Sequence, residues 1–154
     1  VADLARRMLK LYEWRFSEAQ ITAKPPTESQ QAWISTYEGD LKVVLHEVIS
    51  NARYSLKHSW PDGGGEIAIE VWQEGEYTYI RVADNGQGFP DGALPSVAFE
   101  AEYSTKNEED HPNRGMGLYI AQRMMHHNSG TIEINNNPVA GAEVVLKLKN
   151  LRSA

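Results

Sequence analysis

The stretch that decides the fold is Asp40–Ser59, DLKVVLHEVISNARYSLKHS. Leu41, Val44, Leu45, Val48, Ile49, Ala52 and Leu56 recur at steps of three and four, so they form one apolar stripe on a helix. Glu47 and Asn51 stand four apart and share another face. A carboxylate and a carboxamide beside a core stripe suit a hydrated metal and a polyanion; the alternative is a plain solvated face. Asp40, after the turn Glu38-Gly39, is placed to cap the helix. His46-Glu47 has the start of a zinc-protease pattern, but Ser50 stands four after His46, which excludes it.

Outward from this helix the chain breaks at Pro61-Asp62-Gly63-Gly64-Gly65. Glu66–Gln73 then alternates, with Ile67, Ile69 and Val71 on one side. After Glu74-Gly75-Glu76, Tyr77–Ala83 returns with Thr78, Ile80 and Val82 opposite Tyr77, Tyr79 and Arg81. The spacing predicts an antiparallel hairpin. Residues 116–127 read as a helix carrying Leu118, Ala121 and Met125 on one side. Gly130–Asn135 and Ala142–Leu148 read as a second hairpin around Pro138–Gly141. Upstream, residues 3–19 read as a helix with Leu4, Met8, Leu11 and Tyr12 on one face. Ile21–Lys24 is a short strand stopped by Pro25-Pro26, and Ala32–Tyr37 is a further strand candidate. Helices and paired strands without regular βαβ alternation predict an α+β fold: a two-layer α/β sandwich, its mixed, mainly antiparallel sheet covered on one face by helices.

Bulk properties narrow the function. The 154 residues suit one domain, and 41% hydrophobic content is that of an ordinary globule. The absence of cysteine excludes disulfides, thiolate metal sites and cysteine nucleophiles. A net charge of −6 argues against non-specific binding to nucleic acid or anionic membrane. No run reaches membrane-spanning length. The chain begins at Val1, which reads as a fragment of a longer protein whose other parts leave room for a membrane anchor.

Two glycine segments flank a long aperiodic stretch. Asp84-Asn85-Gly86-Gln87-Gly88-Phe89-Pro90 follows a strand. Its glycines let backbone approach a flat or anionic ligand, and Asp84 can accept a hydrogen bond from an exocyclic amine. A plain turn is the alternative. Asn113-Arg114-Gly115-Met116-Gly117-Leu118 opens a helix, whose free N–H groups face any anion placed there. It is neither a P-loop nor a complete GxGxxG. Between them, Lys106 and Arg114 bracket Glu108-Glu109-Asp110 and are candidates to reach phosphate from a closing loop over residues 90–114. His58, His111, His126 and His127 show no partner pattern and read as surface residues.

Taken in order, HEVISNA, DNGQG, FEAEYSTK, GMGLYIAQRM and GAEVVLKL resemble the GHKL-type ATP-binding domain of sensor histidine kinases, gyrase, mismatch-repair ATPases and a heat-shock chaperone family. The resemblance covers residues 20–149 and is strongest to the catalytic domain of sensor histidine kinases. It implies a Bergerat-type fold over residues 21–154, with residues 1–20 a connector helix from an upstream dimerisation region. It implies Mg-ATP as the bound species. Asn51 would ligate Mg²⁺, and Glu47 would polarise a water or the attacking nucleophile. Asp84, with Gly86 and Gly88, would hold adenine. Gly115, Met116, Gly117 and Leu118 would bring backbone amides to the phosphates, with Arg114 beside them and Lys106 acting from the lid.

The implied reaction is transfer of the γ-phosphate to a histidine on a separate phosphoacceptor domain, upstream of a response regulator receiver domain, in the cytoplasm, with no nucleic-acid or membrane contact. The sequence departs from the family pattern in places. Tyr54 stands where many members carry a basic residue, Tyr119 where many carry glycine, and Asn128-Ser129-Gly130 replaces the usual His-Gly-Gly. No phosphoacceptor box is present. Two other readings share the pocket: a nucleotide-binding interaction module without turnover, and a serine kinase of the anti-sigma-factor type.

Overall fold

The computed structural model describes residues 1–27, 33–89, 117–137 and 139–151. Its elements run α1 (Ala2–Leu11), α2 (Glu13–Glu18), β1 (Thr22–Lys24), α3 (Glu38–Ser59), β2 (Glu66–Glu74), β3 (Tyr77–Asp84), α4 (Gly117–His127), β4 (Thr131–Asn136) and β5 (Ala142–Lys149). Among the described residues the strands form one sheet of order β1-β2-β3-β5-β4. β1 runs parallel to β2, and the other neighbours are antiparallel. The mixed, mainly antiparallel sheet expected from the sequence is therefore present.

Strand alternation decides which face is inside. Ile67, Ile69, Thr78, Ile80, Val82, Ile132, Ile134, Val144, Leu146 and Leu148 are all buried. The α3 stripe, Leu41 to Leu56, shares one core with them, joined by Ala121 and Met125 of α4. Burying each such Leu or Ile contributes about 1.5–3 kcal/mol, which holds α3 in place along its whole length. Thr78 is polar within this core, and its hydroxyl donates to Asn150 Oδ1 at 2.6 Å. On the other face of the sheet Trp72 stacks on its cross-strand partner Tyr79, rings 5.2 Å apart. Arg81 there bonds Glu143 at 2.6 Å and Glu70 at 3.1 Å.

Several sequence expectations are corrected. The single helix over 3–19 is two, parted at Tyr12. The break lets Tyr12 bury its ring, stack on Phe16 and reach His46 Nδ1 at 2.6 Å. Leu11, expected on the inner face, is 75% exposed. The strand expected at 32–37 is reduced, in its described part, to one bridge between Ile34 and Asn150. The Tyr37 N–H that could extend the ladder is given instead to Asn128 Oδ1 at 2.8 Å. Asp40 does not cap α3, which starts two residues earlier with Tyr37 as N-cap. His58 and His127 are exposed as expected but not partnerless: His58 Nδ1 lies 3.0 Å from the Tyr54 carbonyl, and His127 Nδ1 lies 2.8 Å from Asp40 Oδ2.

Candidate functional site

The site is measured out along α3. Glu47, Asn51 and Ser55 are spaced by four, so they line one side of the helix over about 12 Å. At one end they meet α4. A Cβ on Gly117, the first residue of α4, would stand 2.8 Å from Glu47 Oε2, and the three nearest atoms it would meet all belong to Glu47. At the other end they meet the loop after β3. Ser55 Oγ accepts the Gln87 N–H at 3.2 Å. A Cβ on Gly86 would collide with that Oγ and stand 2.9 Å from Asp84 Oδ1. Asn51 is half-buried between the two ends.

Asp84 closes β3, and its Oδ1 accepts the Gly86 N–H at 2.8 Å. Burial pushes its carboxyl above the ordinary aspartate value, while the N–H groups of Gly86 and Ala142 pull the other way. A carboxylate short of water and held by only a few donors is a strong acceptor for a donor that a ligand brings.

The loop that carries Gly86 and Gly88 is fixed on both flanks. Asn85 accepts the Glu66 N–H on Oδ1 at 2.7 Å and the Trp60 indole N–H on its carbonyl at 2.9 Å. Asn136 clamps Phe89 in both directions, accepting its N–H at 2.7 Å and donating to its carbonyl at 3.0 Å. Gly141, at φ +79°, passes so close to the Asp84 carbonyl that a Cβ would overlap it.

Of the residues picked from the sequence, Glu47 and Asn51 lie on one face of α3, with Gly117 at one end of it and Gly86 and Asp84 at the other. Gly88 sits in the same loop at φ +74°, and the Leu118 side chain packs against the core. Lys106, Arg114, Gly115 and Met116 lie outside the described residues, as does the stretch FEAEYSTK. Ser55, Asn136 and Gly141 were missed. Ser55 had a signal, since it continues the four-residue step from Glu47 through Asn51. Gly141 opens the quoted GAEVVLKL stretch, but its contact with Asp84 was not legible, and Asn136 had no signal, because only the sheet brings them to the loop. Arg53 does not serve this face: it is turned toward Tyr12, Arg15 and Glu18, and burial followed by the nearby Arg15 lowers its pKa. The Tyr54 ring lies against that of His58, centroids 4.2 Å apart and tilted by 32°.

Over residues 36–152 the sequence matches the family described as "Histidine kinase-, DNA gyrase B-, and HSP90-like ATPase". The chain belongs to this ATPase family. Among its relatives, the signal transduction histidine-protein kinase AfsQ2 of Streptomyces coelicolor is 34% identical over 108 residues, covering 70% of this chain and 19% of that protein. The adaptive-response sensory kinase SasA of Synechocystis is 22% identical over 144 residues, covering 92% of this chain and 36% of that protein. The chain thus spans well under two thirds of either relative.

Solved structures show the same fold. The catalytic domain of histidine kinase ThkA superposes with a TM-score of 0.82 at 18% identity, covering 97% of this chain and 91% of that one. Full-length ShkA in complex with AMPPNP gives 0.81 at 23% identity, covering 99% and 30%. The Bergerat-type fold read from the ordered motifs is borne out. Tyr54, Tyr119 and Asn128, the positions singled out from the sequence, lie on α3, in the first turn of α4 and just after its last residue.

Proposed function

We propose that this chain is the ATP-binding catalytic domain of a two-component sensor histidine kinase. It binds Mg-ATP and delivers the γ-phosphate to a histidine on a separate dimerisation domain. The observation that supports this best is the α3 face itself: one helix meets the Asp84 loop through Ser55 and the start of α4 through Glu47, with Asn51 between. In this reading the base end of the nucleotide lies at Asp84 and the phosphate end at Gly117.

Asp84 accepts a hydrogen bond from the adenine amino group, and Gly86 and Gly88 leave room for the ring. The α4 N-terminus, at Gly117 and Leu118, turns backbone N–H groups to the phosphates. Magnesium fits the donor set, because it favours hard oxygens and in phosphoryl-transfer sites takes only one or two from protein. Among the described residues no group of three or more acidic or histidine side chains could hold a metal alone. Asn51 would hold the ion, which would supply charge neutralisation for phosphoryl transfer. Glu47 orients the attacking group. Lys106, Arg114, Gly115 and Met116 keep, on sequence resemblance alone, the roles of phosphate contacts. Phosphoryl transfer is mainly positioning and charge neutralisation, which this set supplies.

Residues 1–20 are proposed as the connector from the dimerisation region, although Leu4, Met8, Tyr12 and Phe16 pack into the same core as the rest. A response regulator downstream and a cytoplasmic setting belong to this proposal. No helix of the described residues is long and apolar enough to cross a membrane.

The test is a titration of ATP, with and without Mg²⁺, into wild type and Asp84→Ala, followed by mixing with a histidine-bearing dimerisation fragment and labelled ATP. The expected results are weaker binding by the variant and an acid-labile phosphohistidine. Equal affinities would remove the adenine assignment, and acid-stable phosphoserine would move the protein to the serine-kinase class.

A further inference from the structure

We propose that Asn128 is a positioning residue for the phosphate end of the nucleotide site, acting by tying the far end of α4 to the start of α3. The inference rests on the nucleotide-site reading above. Asn128 stands immediately after α4. Its carboxamide uses all four of its hydrogen-bonding positions. Oδ1 accepts the Thr36 hydroxyl at 2.7 Å and the Tyr37 N–H at 2.8 Å. Nδ2 donates to Asp40 Oδ2 at 2.8 Å and to the Met124 carbonyl at 2.8 Å. One side chain therefore binds the N-cap residue and first turn of α3 together with a carbonyl in the last turn of α4, which also accepts the Asn128 backbone N–H at 3.2 Å.

His127 reinforces the junction, with Nδ1 2.8 Å from the same Asp40 oxygen and its ring stacked on Tyr37 at 5.6 Å. Hydrogen bonds from His127 and then Asn128 hold the Asp40 carboxyl below the usual range.

The consequence lies at the other end of α4. The helix has 11 residues, about 16 Å of stiff rod, and its first residue is Gly117 against Glu47. Along α4 Ala121 and Met125 are fully buried and Leu118 and Met124 pack partly buried against the core; apolar contact of this kind is non-directional and sets how closely the helix is seated more than how it is aimed. The Asn128 bonds are directional and add a constraint on its aim. A tilt at Asn128 carries Gly117 away from Glu47. It leaves Asp84 untouched, because that residue is held by the sheet and by Gly86.

This separates two affinities. Adenosine uses the Asp84 end only, whereas ATP uses both ends. For Asn128→Ala, calorimetric titration at a temperature where the variant is folded should show ATP bound about tenfold more weakly, the scale of losing an outer partner that orients a ligating group. Adenosine affinity should stay within about twofold. Asp40→Ala, which removes one bond of the four, should show a smaller loss of the same kind and covers the case in which Asn128→Ala fails to fold. Undiminished ATP binding in both variants, or equal losses of ATP and adenosine, overturns the inference while leaving the site reading intact. No ATP binding by wild type overturns the site reading and the inference with it.

Discussion

Gly117→Ala tests the junction of α3 and α4 without any ligand. The new methyl carbon would stand 2.8 Å from Glu47 Oε2, while ordinary contact begins at 3.4 Å. The carboxylate must withdraw by roughly 0.6 Å. Glu47 is a flexible side chain, so the response is a strained rotamer costing about 0.5–1.5 kcal/mol. Against this, alanine in place of glycine favours the helix by up to about 1 kcal/mol. The single variant should therefore melt close to wild type. In a Glu47→Ala background the methyl meets no carboxylate, and the helical gain should appear alone, raising Tm by about 2–4 °C. Chemical denaturation of the four proteins gives a coupling of about 0.5–1.5 kcal/mol. Additivity within about 0.3 kcal/mol would show that Gly117 and Glu47 do not touch. If they do, ATP turnover by Gly117→Ala with its acceptor domain should fall by one to two orders of magnitude, the order expected when reacting groups move by about 1 Å.

Asn51→Ala should abolish the dependence of ATP affinity on Mg²⁺; an unchanged metal requirement in parallel titrations would remove its role as ligand. For Asp84 the sign follows from burial raising its folded pKa: its contribution to stability is full below the unfolded value and is lost as pH rises through the raised one. Asp84→Asn should consequently melt above wild type at neutral pH, with the gap closing as pH falls toward the ordinary aspartate range, and a gap independent of pH would contradict this. Leu45→Ala removes a fully buried side chain from the middle of the α3 stripe. It should cost about 2–5 kcal/mol in urea unfolding, and a loss under about 1 kcal/mol would mean that the stripe is not the core.

Much of this protein is written in local pattern. The α3 stripe, both hairpins and α4 follow from period and turn chemistry, because burial of one face is decided by spacing along the chain. Glu47 and Asn51 were legible for the same reason, being four apart on one helix, and Asp84 because it ends a strand before two glycines. What spacing cannot carry is the meeting of segments. The Tyr37 backbone was spent on Asn128 rather than on a sixth strand, Tyr12 broke its helix to reach His46, and Asp40 became a partner of α4 rather than a cap. In each case a side chain distant in sequence won a hydrogen bond that local pattern had assigned elsewhere. The sequence by itself determined which helix and which strand ends bear the chemistry. The tertiary structure alone decided that Ser55 touches the Asp84 loop and Gly117 touches Glu47, because those contacts exist only once the sheet and the paired helices have set the distances.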